Sequence, residues 1–420
     1  MIFFYRFLTI IFFPFFIFVI YLRKISGKED HKRFKEKFIL NKKKEFSDKL
    51  IWFHGASIGE ILSIIPLVEY LQKKDNKLRV LITTVTLSSS VIIKKKIEKN
   101  NKIIHHFFPL DVPHLVRQFL DNWNPDFIAF VDSEIWPNFI FEIKKRKIPL
   151  ALINARITEK TLHKWMMFKK FSIEIFSSFS ICLASSLHST KNLEKLNAKN
   201  IKYIGNLKFI TNSKSEEYLQ KNTIDYFNTR KVWCASNTHK GEEILCLQAH
   251  IKIKKNYENL ITIIVPRHIS RISNILSICK QNKLNVQIIK NENEINKNSE
   301  IILVNSFGEL PKYYHYCKSV FIGKSLLKNL ILVGGQNPIE AAVNGCKIYH
   351  GPYVYNFAEI YKYLNDINVT KKVNNIEELA NSIINDLKKE KEINTKDVKT
   401  INNHGKKILK ETISQISNYI

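Results

Sequence analysis

From Leu50 onward, short apolar runs alternate with longer amphipathic stretches, and this rhythm constrains the fold more than any other feature of the chain. It predicts β-α-β units, because a strand covered by helices on both faces must be apolar along its length. LIWFHGA, RVLITTVT, KIIHHFFPL, DFIAFVD, PLALINA, SICLAS and IKYIG read as the strands of a first domain over residues 50–209. Residues 210–230 lack a strong apolar face and read as a linker. The rhythm restarts with KVWCAS, LITIIVP, NVQII, EIILVNS, SVFIG, KIYHG and INVTKKV, giving a second domain over 231–395 and a C-terminal helix over 396–420. The total of 420 residues suits two domains of about 150 to 200 residues each. The expected class is therefore α/β, with two doubly wound Rossmann-like domains and ligands in a cleft at the carboxyl ends of the strands. This is the GT-B arrangement, which several kinds of two-domain enzyme share.

Ahead of the rhythm, residues 1–22 (MIFFYRFLTIIFFPFFIFVIYL) are almost continuously apolar and about long enough to cross a bilayer as one helix. Arg6 interrupts the run near one end, where it can snorkel, and Pro14 leaves a shallow, monotopic insertion open. Residues 23–49 carry a dense basic flank, with Arg23, Lys24, Lys28, Lys32, Arg33, Lys35, Lys37 and Lys42 to Lys44. Positive flanks stay in the cytoplasm, and each cation near an anionic leaflet adds roughly 1 kcal/mol of attraction. The expectation is a single N-terminal anchor in the inner membrane with the body on its cytoplasmic face.

The formal charge of +28 favours polyanionic partners, although a chain this rich in Lys, Asn and Ile and poor in Gly, Ala and Pro also fits compositional drift. The lysines are scattered and no recognition helix or aromatic-lined strand stands out, so nucleic acid is not expected as a partner. Six well-separated cysteines form no C-x-x-C pair, which indicates reduced thiols and neither a metal cluster nor a disulfide framework.

Chemistry-bearing residues gather where strands end and helices begin. HGASIGE (His54 to Glu60) fits a capping box between Ser57 and Glu60, and equally places an ionised carboxylate where it can take a proton from a hydroxyl. In DSEIWPN (Asp132 to Asn138), Asp132 or Ser133 can cap the next helix, Trp136 can pack in the core and Pro137 suits the first turn. Lys208 in GNLKF is either a solvated lysine or a cation stabilising charge on a leaving phosphate. ASNTHKGEE (Ala235 to Glu243) and VPRHISR (Val265 to Arg271) put backbone amides and a planar guanidinium where anions bind. In GGQNPIEAA (Gly334 to Ala342), Asn337 can cap, Pro338 fits the first turn and Glu340 points back toward a ribose; a well-capped buried helix is the plainer alternative. His239 and His268 lack the spacing of a metal site.

Taken together, HGASIGE, SEIWPN, INARI, IGNLKF, ASNTHKGEE, VPRH-x-x-R, GGQNP-x-E and GP-x-x-x-NF, in that order over about residues 50 to 360, resemble the 3-deoxy-D-manno-octulosonic acid (Kdo) transferases of lipopolysaccharide assembly. The resemblance implies an inverting enzyme that needs no metal or other cofactor and moves Kdo from a CMP-Kdo donor to a lipid A precursor (lipid IVA). It implies Glu60 as proton acceptor, with Glu134 and Lys208 stabilising the transition state. It further implies that Pro266, Arg267, His268, the turn Phe307, Gly308 and Glu309, and the run Asn337, Pro338, Ile339 and Glu340 hold the CMP moiety. Anionic inner-membrane lipids are the remaining implied partner. Two places depart from the family pattern: a glycine pair is replaced by Gly323-Lys324 ahead of the long loop SLLKNLILV, and an Asp-Thr-Met-Gly-Glu stretch reads Asn305-Ser306-Phe307-Gly308-Glu309. Two other readings remain open on the residues: a GT-B transferase using a UDP-sugar on a lipid acceptor, and a membrane-tethered basic protein that binds polyanions.

Overall fold

A computed structural model describes the chain except for residues 40–47, 99, 211–218, 291–294, 297, 307–309 and 390–394. It divides into two compact units, one made of Met1–Ile210 with Gly405–Ile420 and the other of Thr211–His404.

Each apolar run forms a strand. In the first unit these are β1 (Leu50–His54), β2 (Arg79–Thr84), β3 (Ile103–Phe107), β4 (Phe127–Val131), β5 (Leu150–Ala155), β6 (Ile181–Ala184) and β7 (Ile201–Tyr203). They make one sheet in the order β3-β2-β1-β4-β5-β6-β7, and every recorded pairing is parallel. β1 and β4 are buried along their whole length, which is why they read as unbroken apolar runs and not as alternations. One face of the sheet carries an aromatic core in which Trp52 meets Phe119, Phe130 and Phe139 at ring-centroid distances of 5.0, 5.6 and 5.5 Å.

The second unit repeats the plan with β8 (Lys231–Thr238), β9 (Leu260–Pro266), β10 (Val286–Ile289), β11 (Ile301–Val304), β12 (Ser319–Ile322), β13 (Lys347–His350) and β14 (Thr370–Lys372). Their order is β10-β11-β9-β8-β12-β13-β14, again parallel in every recorded pairing. In each sheet the chain first winds outward one way and then returns to continue the other way. Strand order reverses between β1 and β4 in one sheet and between β8 and β12 in the other, and these switch points are where the carboxyl ends splay to admit a ligand.

Three expectations need correction. The stretch read as a linker is not all connection: Lys221–Asn228 is a helix, and its Thr223, Tyr226 and Phe227 form a short buried stripe in the second unit. The N-terminal segment is not one anchor helix either. It forms α1 (Ile2–Ile11) and α2 (Phe13–Ile25), bent by 55°, and no single helix among the described residues is long and apolar enough to cross a membrane. Pro14 opens α2 and cannot donate the bond that would continue the first helix, which places the break there. Nor does Arg6 snorkel. It pairs with Glu142 at 2.8 Å and lies over the Phe141 ring. The Tyr5 hydroxyl donates to Asp111 at 2.8 Å, and Ile20 packs with Phe34, Phe38, Val112 and Leu115. The basic flank is partly neutralised by the buried Glu29, which accepts from Arg23 at 2.6 Å and from Lys37 at 2.5 Å. Lys42 to Lys44 lie outside the described residues.

Candidate functional site

In the first unit the predicted residues converge at the β1/β4 switch point. β1 ends at His54, and Gly55 follows because a Cβ there would stand 3.2 Å from both Glu60 Cβ and Ile61 Cδ1. The chain then enters α3 (Ile58–Lys74) through a capping box. Ser57 Oγ donates to Glu60 Oε1 at 2.6 Å and the Ala56 amide donates to Oε2 at 2.7 Å. The carboxylate that closes the capping box is therefore the one the resemblance implies as proton acceptor. Burial pushes its pKa up to about 7, and the nearby carboxylates of Asp132 and Glu134 add to the rise against the lowering effect of the Ser57 and Ala56 bonds. A carboxyl tuned to neutrality is suited to accept a proton at working pH.

Glu134 stands on the turn after β4. Burial alone would raise its pKa, but the His54 ring and the Trp136 indole N–H outweigh that and hold it below the ordinary range. Trp136 Nε1 donates to Glu134 Oε2 at 2.9 Å, and His54 Nε2 is 3.2 Å from the same oxygen. One carboxyl is thus raised and its neighbour lowered, the environment that separates an acid–base group from a permanently charged one.

Lys208 reaches the same place from the short helix Leu207–Phe209, its ammonium 3.4 Å from Asp132. Asn154 positions that helix, accepting the Leu207 N–H at 2.9 Å. Both Asp132 (φ 60°) and Asn154 (φ 52°) take left-handed backbone, a conformation that costs non-glycine residues about 1 to 3 kcal/mol and gathers at working sites. Neither Asp132 nor Ser133 caps the helix Pro137–Lys145. That service comes from Asp111, distant in sequence, which accepts from the Asn138 and Phe139 amides at 3.1 and 3.0 Å. Burial raises the Asp111 carboxyl to about 6. Pro137 occupies the first turn, as its sequence context predicts.

In the second unit, Pro266 ends β9 and Arg267 follows, its amide bonded to the Thr238 carbonyl at 3.0 Å. His268 meets His239 edge to face at 5.6 Å. Burial, then the charges of Lys324, His268, Arg267 and Arg271, push His239 down to about 4, so it stays neutral amid cations. Asn337 Oδ1 accepts from the Ile339 amide, while Pro338 takes the cap position of a short helix, Ile339–Val343. Burial raises Glu340. The loop is glycine-bound: a Cβ on Gly334 would lie 2.2 Å from the Tyr353 carbonyl oxygen, and Gly335 has φ 95°. Phe307, Gly308 and Glu309 lie outside the described residues.

Several participants are not singled out by sequence reasoning. Glu242 is fully buried and accepts the amides of His239, Lys324, Ser325 and Leu326 at 3.0, 2.6, 2.8 and 3.1 Å. It ties the loop after β8 to the divergent loop after β12 and occupies amides that would otherwise be open to a ligand. Its neighbour Glu243 holds Arg271 in a two-pronged ion pair at 2.9 and 3.0 Å, giving that arginine a structural partner. The Glu-Glu pair after Gly241 reads as an ordinary acidic first turn, and only the buried surroundings of Glu242 distinguish it.

The geometry agrees with what the chain is similar to. Residues 32–211 match the family described as 3-Deoxy-D-manno-octulosonic-acid transferase (kdotransferase). A 3-deoxy-D-manno-octulosonic acid transferase of Haemophilus influenzae is 31% identical over 77% of this chain and 75% of its own length, and one of Rickettsia bellii is 31% identical over 90% and 89%. Among solved structures, a UDP-GlcNAc 2-epimerase from Neisseria meningitidis, bound to UDP-GlcNAc, superposes with a TM-score of 0.56 at 13% identity, covering 87% of this chain and all of that one. A putative UDP-N-acetylglucosamine 2-epimerase from Listeria monocytogenes gives 0.55 at 11% identity, covering 89% and 97%. These two likenesses show the fold alone, which is GT-B. With the sequence relatives, the matched family and the clustered strand-end residues in agreement, the chain belongs to the Kdo transferase family of GT-B glycosyltransferases.

Proposed function

We propose that this enzyme transfers Kdo from CMP-Kdo to a hydroxyl of the lipid A precursor lipid IVA, with inversion at the anomeric carbon and Glu60 as general base. The observation carrying this reading is the convergence of Glu60, Glu134, Asp132 and Lys208 at the β1/β4 switch point, with one carboxyl raised to about 7 and its neighbour held low. The Glu60 carboxylate takes the hydroxyl proton as the oxygen attacks the anomeric carbon. The bond from that carbon to the CMP phosphate oxygen breaks, and CMP leaves with the electron pair. The ionised Glu134 stabilises the positive charge that develops on the reacting sugar and the Lys208 ammonium the negative charge on the departing phosphate, with Asp132 holding the ammonium in place. In the second unit, Pro266, Arg267, His268 and Asn337 through Glu340 are the candidate CMP contacts, together with Phe307, Gly308 and Glu309. Purified enzyme incubated with CMP-Kdo and tetraacyl lipid A precursor, with products read by mass, tests the reaction and counts the sugars added. Protection from heat by UDP-sugars and not by CMP-Kdo would overturn the donor assignment.

The reading extends to the inner membrane. Phe3, Phe4, Phe7, Phe15 and Phe18 of the bent pair are exposed, while Tyr5 and Arg6 are latched to the body of the first unit. Crossing the bilayer would break these polar latches, so the pair lies in the cytoplasmic face with its phenylalanines among the acyl chains and the basic flank at anionic headgroups. A tag at Met1 should be accessible from the cytoplasmic side only; accessibility from the opposite side would establish a full span.

A further inference from the structure

We propose that His54 is the positioning residue for Glu134, held as the Nε2–H tautomer by a buried hydrogen-bond chain that begins at Trp52 and passes through Thr83. The inference rests on the reading of Glu134 as a charged group at the reacting centre.

The chain follows from what each group is able to donate. The Trp52 indole N–H is a donor only, and it lies 2.8 Å from Thr83 Oγ1, which must therefore accept. Thr83 has one hydroxyl proton, and His54 Nδ1 stands 2.9 Å from the same Oγ1 and 3.3 Å from the Thr83 carbonyl oxygen, so the tautomer turns on where that proton points. With that proton directed at Nδ1, the imidazole carries its own hydrogen on Nε2, which is 3.2 Å from Glu134 Oε2. The opposite tautomer would turn the Nε2 lone pair toward a carboxylate oxygen. Trp52, Thr83 and His54 are all fully buried, so bulk water is not available to rescue a wrong arrangement. The ring plane is fixed as well, with Phe108 stacked on it at 3.7 Å and 20° and Phe130 edge-on at 5.4 Å. The Trp136 indole N–H lies 2.9 Å from the same Glu134 oxygen and 3.1 Å from His54 Nε2; with Nε2 protonated it is directed at the carboxylate as a second donor. The carboxylate is thus clamped by two ring N–H groups, one on its own turn and one carried by the neighbouring strand β1. This couples the end of β1, where Glu60 begins its helix, to the end of β4. His54 touches neither substrate nor Glu60 in this scheme and acts through Glu134.

The test begins on the unaltered enzyme. Imidazole nitrogen NMR should show His54 protonated on Nε2 with Nδ1 accepting, and a spectrum with Nδ1 protonated overturns the proposal. Thr83→Val should release the tautomer. His54→Ala should raise the Glu134 pKa read by carboxyl carbon NMR and lower kcat about 10- to 100-fold with KM for both substrates little changed. His54→Gln, whose side-chain amide restores an N–H donor, should recover most of both. An unmoved Glu134 pKa in His54→Ala overturns the clamp even if activity falls. The companion variant Glu134→Gln separates the two readings: full activity there removes the catalytic role of Glu134, while the NMR results still decide whether His54 positions it.

Discussion

At the scale of single residues, the first unit places one carboxylate under opposing demands. Glu60 closes a capping box, a task that favours its ionised form, yet burial and two neighbouring acids raise its pKa to about 7. A base works when deprotonated, so kcat should fall as pH drops through about 7, with a slope reporting one proton. Glu60→Gln keeps an acceptor for the Ala56 amide and should lose about 10² to 10⁴ in kcat, measured with CMP-Kdo and lipid acceptor; near-normal turnover would exclude it as the base. A carboxyl whose folded pKa is raised contributes stability that is present below its unfolded value, about 4.5, and is lost as pH rises through about 7. Above pH 7, then, Glu60→Gln should melt higher than the natural enzyme, by about 2 °C or more. Glu60 was legible because its spacing from Ser57 carries the cap and the family resemblance assigns the role. His54 and Trp136 were visible only as parts of motifs. Their convergence on one oxygen of Glu134 joins residues 80 and 2 positions away, a relation that linear spacing does not encode.

At the scale of elements, all fourteen apolar runs became strands; in central ones such as β1, β4, β9 and β12 burial on both sheet faces leaves a continuous signature that needs no knowledge of the partners, whereas β7, β10 and β14 are only partly buried. Elements whose ends depend on distant groups were not legible. The helix Pro137–Lys145 looked self-capped and is capped by Asp111, a carboxylate fed by Asn138, Phe139 and Tyr5. Asp111→Ala would strand two amides and a phenol, and should destabilise the first unit by about 1 to 3 kcal/mol, visible as earlier proteolysis of residues 1–25. The turn after β12 makes a similar point. Gly323 is required, since a Cβ would lie 2.7 Å from the Asn237 carbonyl oxygen, but Lys324 holds a left-handed φ of 58° where the family pattern has glycine. Lys324→Gly should relieve this strain and raise stability by about 1 kcal/mol in a denaturant melt. No change would mean the lysine side chain compensates through contacts of its own.

At the scale of the whole molecule, the sequence placed two doubly wound sheets in series, and the two units repeat one winding plan with a switch point in each. The final helix, Thr395–Ile416, was expected as a separate segment after the second domain, and its residues from Gly405 onward belong with the first unit. Gly405 records the reason: a Cβ there would lie 2.3 Å from the Phe209 carbonyl oxygen, a close approach that no periodicity announces. The formal charge of +28 belongs to this scale too. Binding to anionic vesicles should weaken as salt rises from low to physiological strength, whereas the apolar contribution of the bent pair should leave a salt-resistant remainder. Complete release by salt in a sedimentation assay would assign the attachment to charge alone.

The docking of α1 also has a practical consequence for anyone wishing to handle this enzyme without detergent. The greasy first residues look like a handle that can be trimmed away. Yet Tyr5, Arg6 and Thr9 fill places on the first unit, and Asp111, which receives Tyr5, also caps the helix that begins three residues after Glu134. Trimming would therefore buy solubility by removing the partners of Asp111, Glu142 and Asn138 on and around the helix that follows Glu134. A better route keeps the backbone of α1 and replaces only its outward phenylalanines, Phe3, Phe4 and Phe7, with polar residues.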